Sequence, residues 1–237
     1  EFAYTKSKKE DKGIMRTIFG HLRYNQYTTL ERLVYQNVER YAQEKPIHIE
    51  AVSAHLQEYL TITYNIKSIF FALAVDDIPS PLTAEQKQQW RQQVRAELKI
   101  APDTHVICYN GSAKAWQCPE YVVRYFKHLI SKQQNCFLLI VTQNKLRFMQ
   151  LLQKEQINPS RYFICHVAHE QVFRLLASCD AGILFREPNL INWVSRPTKM
   201  LEYQAAHLPI IHNETVALLT ENSANIPYNH QNFICQI

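Results

Sequence analysis

The chain is poor in glycine. Its 237 residues include only four, Gly13, Gly20, Gly111 and Gly182. The dinucleotide fingerprint GxGxxG and the phosphate loop GxxxxGK[ST] both need clustered glycines, so both are excluded. A GxSxG nucleophile elbow is absent as well. Long apolar runs are missing: the longest, such as Cys136–Thr142 and Ala181–Phe185, fall far short of the roughly 18–20 residues of a membrane span. The charged start, Glu1–Lys12, has no apolar core and does not read as a secretory signal. None of the six cysteines, Cys108, Cys118, Cys136, Cys165, Cys179 and Cys235, forms a CxxC pair. Several sit in apolar strand-like runs, where free cysteine acts as a small hydrophobe. A chain of this size also needs no disulfide staples. These features read as a reducing, cytoplasmic setting. No polybasic stripe exists either. Residues 1–100 hold 14 basic and 12 acidic side chains, and the remainder 12 and 9. Nucleic-acid binders concentrate their charge, so nucleic acid is not an expected partner. A net charge of +5 suits a small anionic ligand or an anionic membrane surface.

What is present has the balance of a globular protein, 46% hydrophobic and 20% charged, with room for one large domain or two small ones. Leu30, Leu33, Val34, Val38 and Tyr41 fall at helical spacing and predict a helix over Tyr27–Glu44, ended by Pro46. A short strand, Ile47–Val52, leads to Ser53 as N-cap of a helix over Ala54–Tyr64, and a second strand spans Ser68–Ala74. Asp77–Thr83 contains two prolines and reads as a linker. A Gln-rich helix, Ala84–Leu98, follows. Beyond it strands and helices alternate: strand His105–Tyr109, helix Pro119–Ser131, strand Cys136–Thr142, helix Asn144–Glu155, strand Arg161–Cys165, helix Glu170–Ala177, strand Ala181–Phe185, helix Thr198–Ala206 and strand Pro209–His212. Short apolar strands alternating with amphipathic helices predict βαβ units around a parallel sheet. The expected organisation is an incomplete α/β piece with a linker over 1–80 and an α/β, Rossmann-like domain over 84–237.

Parallel sheets of this kind take ligands at the carboxyl ends of their strands. Three loops there carry chemistry. Asn110-Gly111-Ser112-Ala113-Lys114 offers a glycine for close backbone approach and a lysine for a phosphate. Phe185-Arg186-Glu187-Pro188 places a permanently charged planar fork past an apolar strand. Ser195-Arg196-Pro197-Thr198-Lys199 opens a helix whose first N–H groups and dipole favour an anion, and Glu202 lies one turn further in. Cys165-His166-x-x-His169 has no second cluster at zinc spacing, so no metal site is expected. Asp76-Asp77 sits before the linker, the wrong context for a metal-binding acidic pair, and Trp116 and Trp193 read as packing residues.

Taken together, the segment CDAGILFREPNLINWVSRPTKMLEYQAAHLPII, Cys179–Ile211, resembles the donor-binding half of the GT-B retaining glycosyltransferases. Asp180, Pro197, Lys199, Glu202, Tyr203, Ala205 and Pro209 fit the family pattern, and the Pro-Thr-Lys-Met-Leu-Glu-Tyr run is its most specific part. YNGSAKAWQCPEYVVRYF resembles the first strand and loop of the same domain, and HVAHEQVFRLLASCDAG its base-binding segment. The resemblance extends over about Leu33 to Asn213. It implies a sugar transferred from a nucleoside-diphosphate donor to a glycan or lipid acceptor, with retention and without a separate cofactor or metal. Glu202 would hold the ribose, Thr198 and Lys199 the diphosphate after the Pro197 turn, and Gly111, Ser112 and Lys114 the same diphosphate from the other loop. Thr142, Val167 and Ala168 would touch the base, and Glu187 and Asn192 would face the sugar. Arg186, Glu187 and Lys199 would act at the reacting centre.

The sequence also departs from the family. Val194 stands eight positions before Glu202, where many members carry a second glutamate. The basic pair after the first strand is reduced to Ser112 and Lys114, and His207 replaces a usual glycine. Only the end of an N-terminal domain is recognisable and the start lacks a Met, so the expectation is a piece of a longer protein. Its absent domain would carry the acceptor site and any peripheral membrane contact. A non-catalytic nucleotide-sugar module, a sugar-nucleotide epimerase or hydrolase on the same fold, and a structural protein remain the alternatives.

Overall fold

A computed structural model describes residues 37, 40, 49–64, 69–70, 79–132 and 135–228. The chain divides into two compact units, Glu1–Leu73 with Asn189–Val194, and Ala74–Pro188 with Ser195–Ile237.

In the first unit, β1 (Ile49–Glu50) and β2 (Ile69–Phe70) pair in parallel, with Ile49 opposite Ile69. Between them runs α1 (Ala54–Tyr64). Ser53 caps α1 as expected, its Oγ accepting from the Leu56 N–H at 3.0 Å while donating to the Val194 carbonyl. The predicted helix Tyr27–Glu44 lies outside the described residues except for Asn37 and Arg40, which are helical. The acidic pair Asp76-Asp77 also lies outside them.

The second unit is built on six parallel strands: β3 (His105–Asn110), β4 (Cys136–Val141), β5 (Tyr162–Cys165), β6 (Ala181–Leu184), β7 (Ile210–His212) and β8 (Ile226–Pro227). Their order is β5-β4-β3-β6-β7-β8, so the winding reverses between β3 and β6. The register there places Cys108 opposite Gly182. Helices α2 (Ala84–Glu97), α3 (Pro119–Lys132), α4 (Lys145–Lys154), α5 (His169–Leu176), α7 (Thr198–Ala205) and α8 (Ala217–Thr220) surround the sheet. The four-residue α6 (Leu190–Trp193) belongs to the first unit.

Strand residues alternate between two cores, as the period of two demands. Val106, Cys108, Leu139, Val141 and Leu184 pack with Val94, Leu176, Met200 and Tyr203 on one face. Ile107, Tyr109, Leu138, Ile140 and Ile183 pack with Val123, Phe126, Phe148 and Leu152 on the other. Five of the cysteines are free thiols buried in these layers.

The scarcity of glycine has a local cost. Lys99, Cys118, Gln156, His207 and Glu214 all adopt left-handed backbone conformations with φ between 52 and 57°. A residue with a Cβ pays roughly 1–2 kcal/mol for this. His207 follows Ala206, the C-cap of α7, and Leu208 N–H closes onto the Tyr203 carbonyl at 2.9 Å. This geometry explains why glycine is usual at that place. His207 is held by its own contacts, with Nε2 2.9 Å from the Leu82 carbonyl and its carbonyl accepting from Lys87 Nζ at 3.0 Å.

Candidate functional site

A cavity of about 450 Å³ opens at the carboxyl ends of β3, β4 and β5. Its wall includes Asn110, Gly111 and Ser112 after β3, Thr142 and Gln143 after β4, and His166 to His169 after β5, with Lys199 at the start of α7. The sequence places these groups together for a simple reason. All but Lys199, which opens α7, lie at or just past the end of a parallel strand, and parallel strands bring all their carboxyl ends to one edge.

Two helices begin at this wall, and neither has a side-chain cap. Ala168 precedes α5 and Pro197 precedes α7, and neither side chain can accept a hydrogen bond. The first N–H groups of both helices therefore have no side-chain partner, and both dipoles are positive there. Lys199, His166 and His169 line the same cavity, while no carboxylate does. The arrangement suits an anion.

Glu202 stands behind Lys199 and is only 1% exposed. Lys199 Nζ lies 3.2 Å from both of its oxygens, and Asn110 Nδ2 donates to Oε2 at 2.6 Å. His169 Nδ1 is 3.9 Å from Oε1. Asn110 is fixed in turn, because its backbone N–H donates to the buried Tyr203 hydroxyl at 2.9 Å. Burial pushes the Tyr203 phenol far above its ordinary value, so the hydroxyl stays protonated and donates to the Ile183 carbonyl at 3.2 Å.

The loop after β3 is equally constrained. Tyr109 OH donates to the Ser112 carbonyl at 2.7 Å, and Asn144 Oδ1 accepts from the Ala113 N–H at 2.9 Å. A Cβ on Gly111 would come within 2.6 Å of Gln117 Oε1 and 3.0 Å of the Tyr109 oxygen. The tight neighbours of this glycine are the Tyr109 ring and the flexible end of Gln117, at the edge of the cavity. Ser112 Oγ is buried at the cavity wall without a hydrogen-bond partner.

Of the residues singled out from the sequence, Gly111, Ser112, Thr142, Val167, Ala168 and Lys199 share the cavity, with Glu202 against Lys199. Pro197 and Thr198 form the same helical turn as Lys199. Lys114, Arg186 and Glu187 do not line the cavity. Arg186 instead lies over the Trp116 ring, and Glu187 N–H donates to the Trp116 carbonyl at 3.0 Å. Asn192 lies in α6 and belongs to the first unit. Asn110, Gln143, His166 and His169 carry parts of the wall to which motif reading gave no ligand role. Their shared signal is position, at the end of a strand, one or two residues beyond one, or at a helix start. Among the described residues, no cluster of three or more His, Cys, Asp or Glu side chains is placed to hold a metal ion.

Replacing Asn110 by Asp tests the network. Asn110→Asp sets a carboxylate where Glu202 now receives an amide N–H. Two facing carboxylates resist joint ionisation, so the pair's protonation is favoured in the folded state. The variant is expected to lose about 1–2 kcal/mol at pH 7 and to regain part of it as the pH falls towards 5. Urea unfolding at the two pH values measures this.

No protein-family model matches the chain, and no curated protein does. Solved structures do match. WaaG, a glycosyltransferase involved in lipopolysaccharide biosynthesis, superposes with a TM-score of 0.61 at 16% identity, over 92% of this chain and 56% of that one. A glycosyltransferase from Rickettsia africae matches with a TM-score of 0.57 at 16% identity, over 80% and 51%. The pneumococcal O-GlcNAc transferase GtfA, solved with UDP and GlcNAc, matches with a TM-score of 0.52 at 9% identity, over 78% and 31%. The chain therefore has the α/β, Rossmann-like fold of GT-B glycosyltransferases. It spans about half the length of the first two.

Proposed function

We propose that this chain carries the donor-binding half of a glycosyltransferase that takes a sugar from a nucleoside-diphosphate donor. The carrying observation is the convergence of two uncapped helix starts, the Gly111–Ser112 loop and Lys199 on one cavity at the carboxyl edge of the sheet, bordered by β3, the strand at which the winding reverses. Ligands of open α/β sheets bind at such points. In this reading residues 84–237 are the donor domain, and residues 1–80 end an acceptor-side domain.

The diphosphate meets the α7 N–H groups and Lys199, with Ser112 Oγ supplying a hydroxyl from the opposite loop. Glu202 takes the ribose hydroxyls, Asn110 holding it in place. Thr142, Val167 and Ala168 border the base. Charge that develops on the leaving diphosphate is then met by groups already in position, which is the main electrostatic route to a lower barrier. GtfA was solved with UDP, which makes UDP the first nucleotide to try. Retention, a glycan or lipid acceptor and a cytoplasmic setting belong to the same proposal. A second reading, a nucleotide-sugar module without turnover, is favoured by Val194, whose place holds a glutamate in many relatives by resemblance and whose carbonyl here accepts from Ser53.

Thermal unfolding against UDP, GDP, ADP, CMP and their sugar conjugates tests the donor site. A ligand at 100 times its Kd stabilises by about 2.7 kcal/mol, roughly 5–10 °C at this chain length. One diphosphate is expected to give such a shift and Glu202→Ala to abolish most of it. A flat panel from a folded protein overturns the reading. Turnover by the full-length enzyme separates transferase from binding module.

A further inference from the structure

Arg186 carries an unbalanced charge inside the fold. The residue is 6% exposed. Its Nη1 donates to the Phe185 carbonyl at 3.0 Å, and the guanidinium lies 5.0 Å from the centroid of the Trp116 ring. Neither partner is an anion. Among the described residues, Arg186 takes part in no ion pair. Burial disfavours its charged form, and the titratable groups around it, the phenols of Tyr109 and Tyr203 and the Cys118 thiol, are themselves kept neutral by burial.

The contrast with Arg95 is direct. Arg95 is buried to a similar degree, at 4% exposure, and is met by the Asp180 carboxylate and four backbone carbonyls. A buried guanidinium without such a partner is destabilising. Arg186 also sits where a ligand would arrive. It follows β6 two residues past Leu184, as Ser112 follows β3 two residues past Asn110, so both occupy the carboxyl edge of paired strands. Yet it is not on the wall of the cavity that contains Ser112 and Lys199.

We propose that Arg186, backed by Trp116, is the seat of an anionic group, a carboxylate or phosphate carried by the sugar or by the acceptor and separate from the donor's diphosphate. A planar fork suits both groups, which it meets with two parallel charge-assisted hydrogen bonds. Trp116 covers one face of the guanidinium and Nη1 is used on the Phe185 carbonyl, so the anion is met by Nε and Nη2. The proposal rests on the donor-site reading for what lies beside it, while the buried unpaired cation stands independently.

Two titrations of the full chain decide it, each with the wild type, Arg186→Met and Arg186→Lys. The first compares UDP, UDP-glucose and UDP-glucuronate, or the conjugates of whichever base binds. The second compares glucuronate and glucose 6-phosphate with glucose, following the indole N–H signal of Trp116, which all three proteins keep, by NMR. The wild type is expected to prefer anionic over neutral ligands by about 10–100-fold. Arg186→Met should erase that preference, leave UDP affinity unchanged and raise Tm by about 2–4 °C, because an apolar side chain replaces a buried charge. Arg186→Lys should keep only part of the preference. A preference confined to the nucleotide conjugates assigns the anion to the donor sugar, and one confined to the free sugars assigns it to the acceptor. Equal binding of charged and neutral ligands overturns the proposal, and so does a loss of UDP affinity in Arg186→Met. If no nucleoside diphosphate binds at all, the donor reading falls while the free-sugar titration still decides on Arg186.

Discussion

Asp180→Ala is expected to destabilise the second unit by about 3 kcal/mol, the low end of the cost of stripping one partner from a buried ion pair, because Arg95 is buried while Asp180 itself is 24% exposed. Total stabilities are only about 5–15 kcal/mol, so this is a large share. Asp180 sits just before β6, at the amino edge of the sheet and away from the cavity. Its Oδ1 accepts from Arg91 at 2.6 Å, and its Oδ2 accepts from Arg95 and from the Val106 N–H, both at 2.8 Å. Its own N–H donates to the Val106 carbonyl at 2.7 Å. Arg95 in turn binds the carbonyls of Ser178, Ala101, Pro102 and Thr104. One carboxylate thereby ties α2, the chain entering β3 and the turn into β6. Removing it leaves a buried guanidinium without its counter-ion and a strand N–H without its acceptor.

The pH dependence has a definite sign. Burial opposes ionisation of Asp180, but the Val106 N–H, Arg91 and Arg95 outweigh it and hold the carboxyl below its ordinary value. The contribution is complete above the ordinary carboxylate range and fades as the pH falls through the folded-state value. Urea unfolding from pH 7 to pH 2 should show the gap between wild type and Asp180→Ala closing in acid. Asp180→Asn, which keeps an acceptor for Val106, should lose less at pH 7. A pH-independent gap, or one below 1 kcal/mol, would refute this account.

The strands and helices of the second unit were legible because each signals itself locally. Parallel strands buried on both faces read as apolar runs, so β3, β4, β5, β6 and β7 fall within about a residue of the expected ends. The α6 and α8 helices and strand β8 were not expected, since two to four residues carry no period. The loops of the cavity were legible from strand ends alone. What each side chain does there was not. The direction of Arg186 depends on Trp116, seventy residues earlier, and on Phe185 O. His166 and His169 read as failed metal ligands, and they line the cavity because α5 begins beside α7. Asp180 belongs to the motif that resembles the family, and its contacts are those of the fold. Glu202 reads as a ligand group one turn into a helix, and nothing local signals its burial. Its partner Asn110 is 92 positions away.

Gly182→Ala should join the fold and the site in one measurement. A Cβ on Gly182 would lie 2.7 Å from three atoms of the Tyr203 ring. The ring is fully buried and has little room to retreat. Overpacking of this kind costs about 1–3 kcal/mol, and displacing the ring also weakens the hydroxyl's bonds to Asn110 N–H and the Ile183 carbonyl. The combined loss is on the order of 3 kcal/mol. Tyr203→Phe isolates the second part. It keeps the ring, leaves the Asn110 N–H buried without its acceptor and should cost about 1–2 kcal/mol. Asn110 positions Glu202, so both variants should also weaken whatever nucleotide stabilises the wild type, in proportion to how far Asn110 moves. A double variant, Gly182→Ala with Tyr203→Leu, removes the clashing ring atoms and should be less destabilised than the sum of its parts by about 1 kcal/mol or more. Additive losses would mean that the methyl group finds room without touching Tyr203, and the glycine would then need another cause.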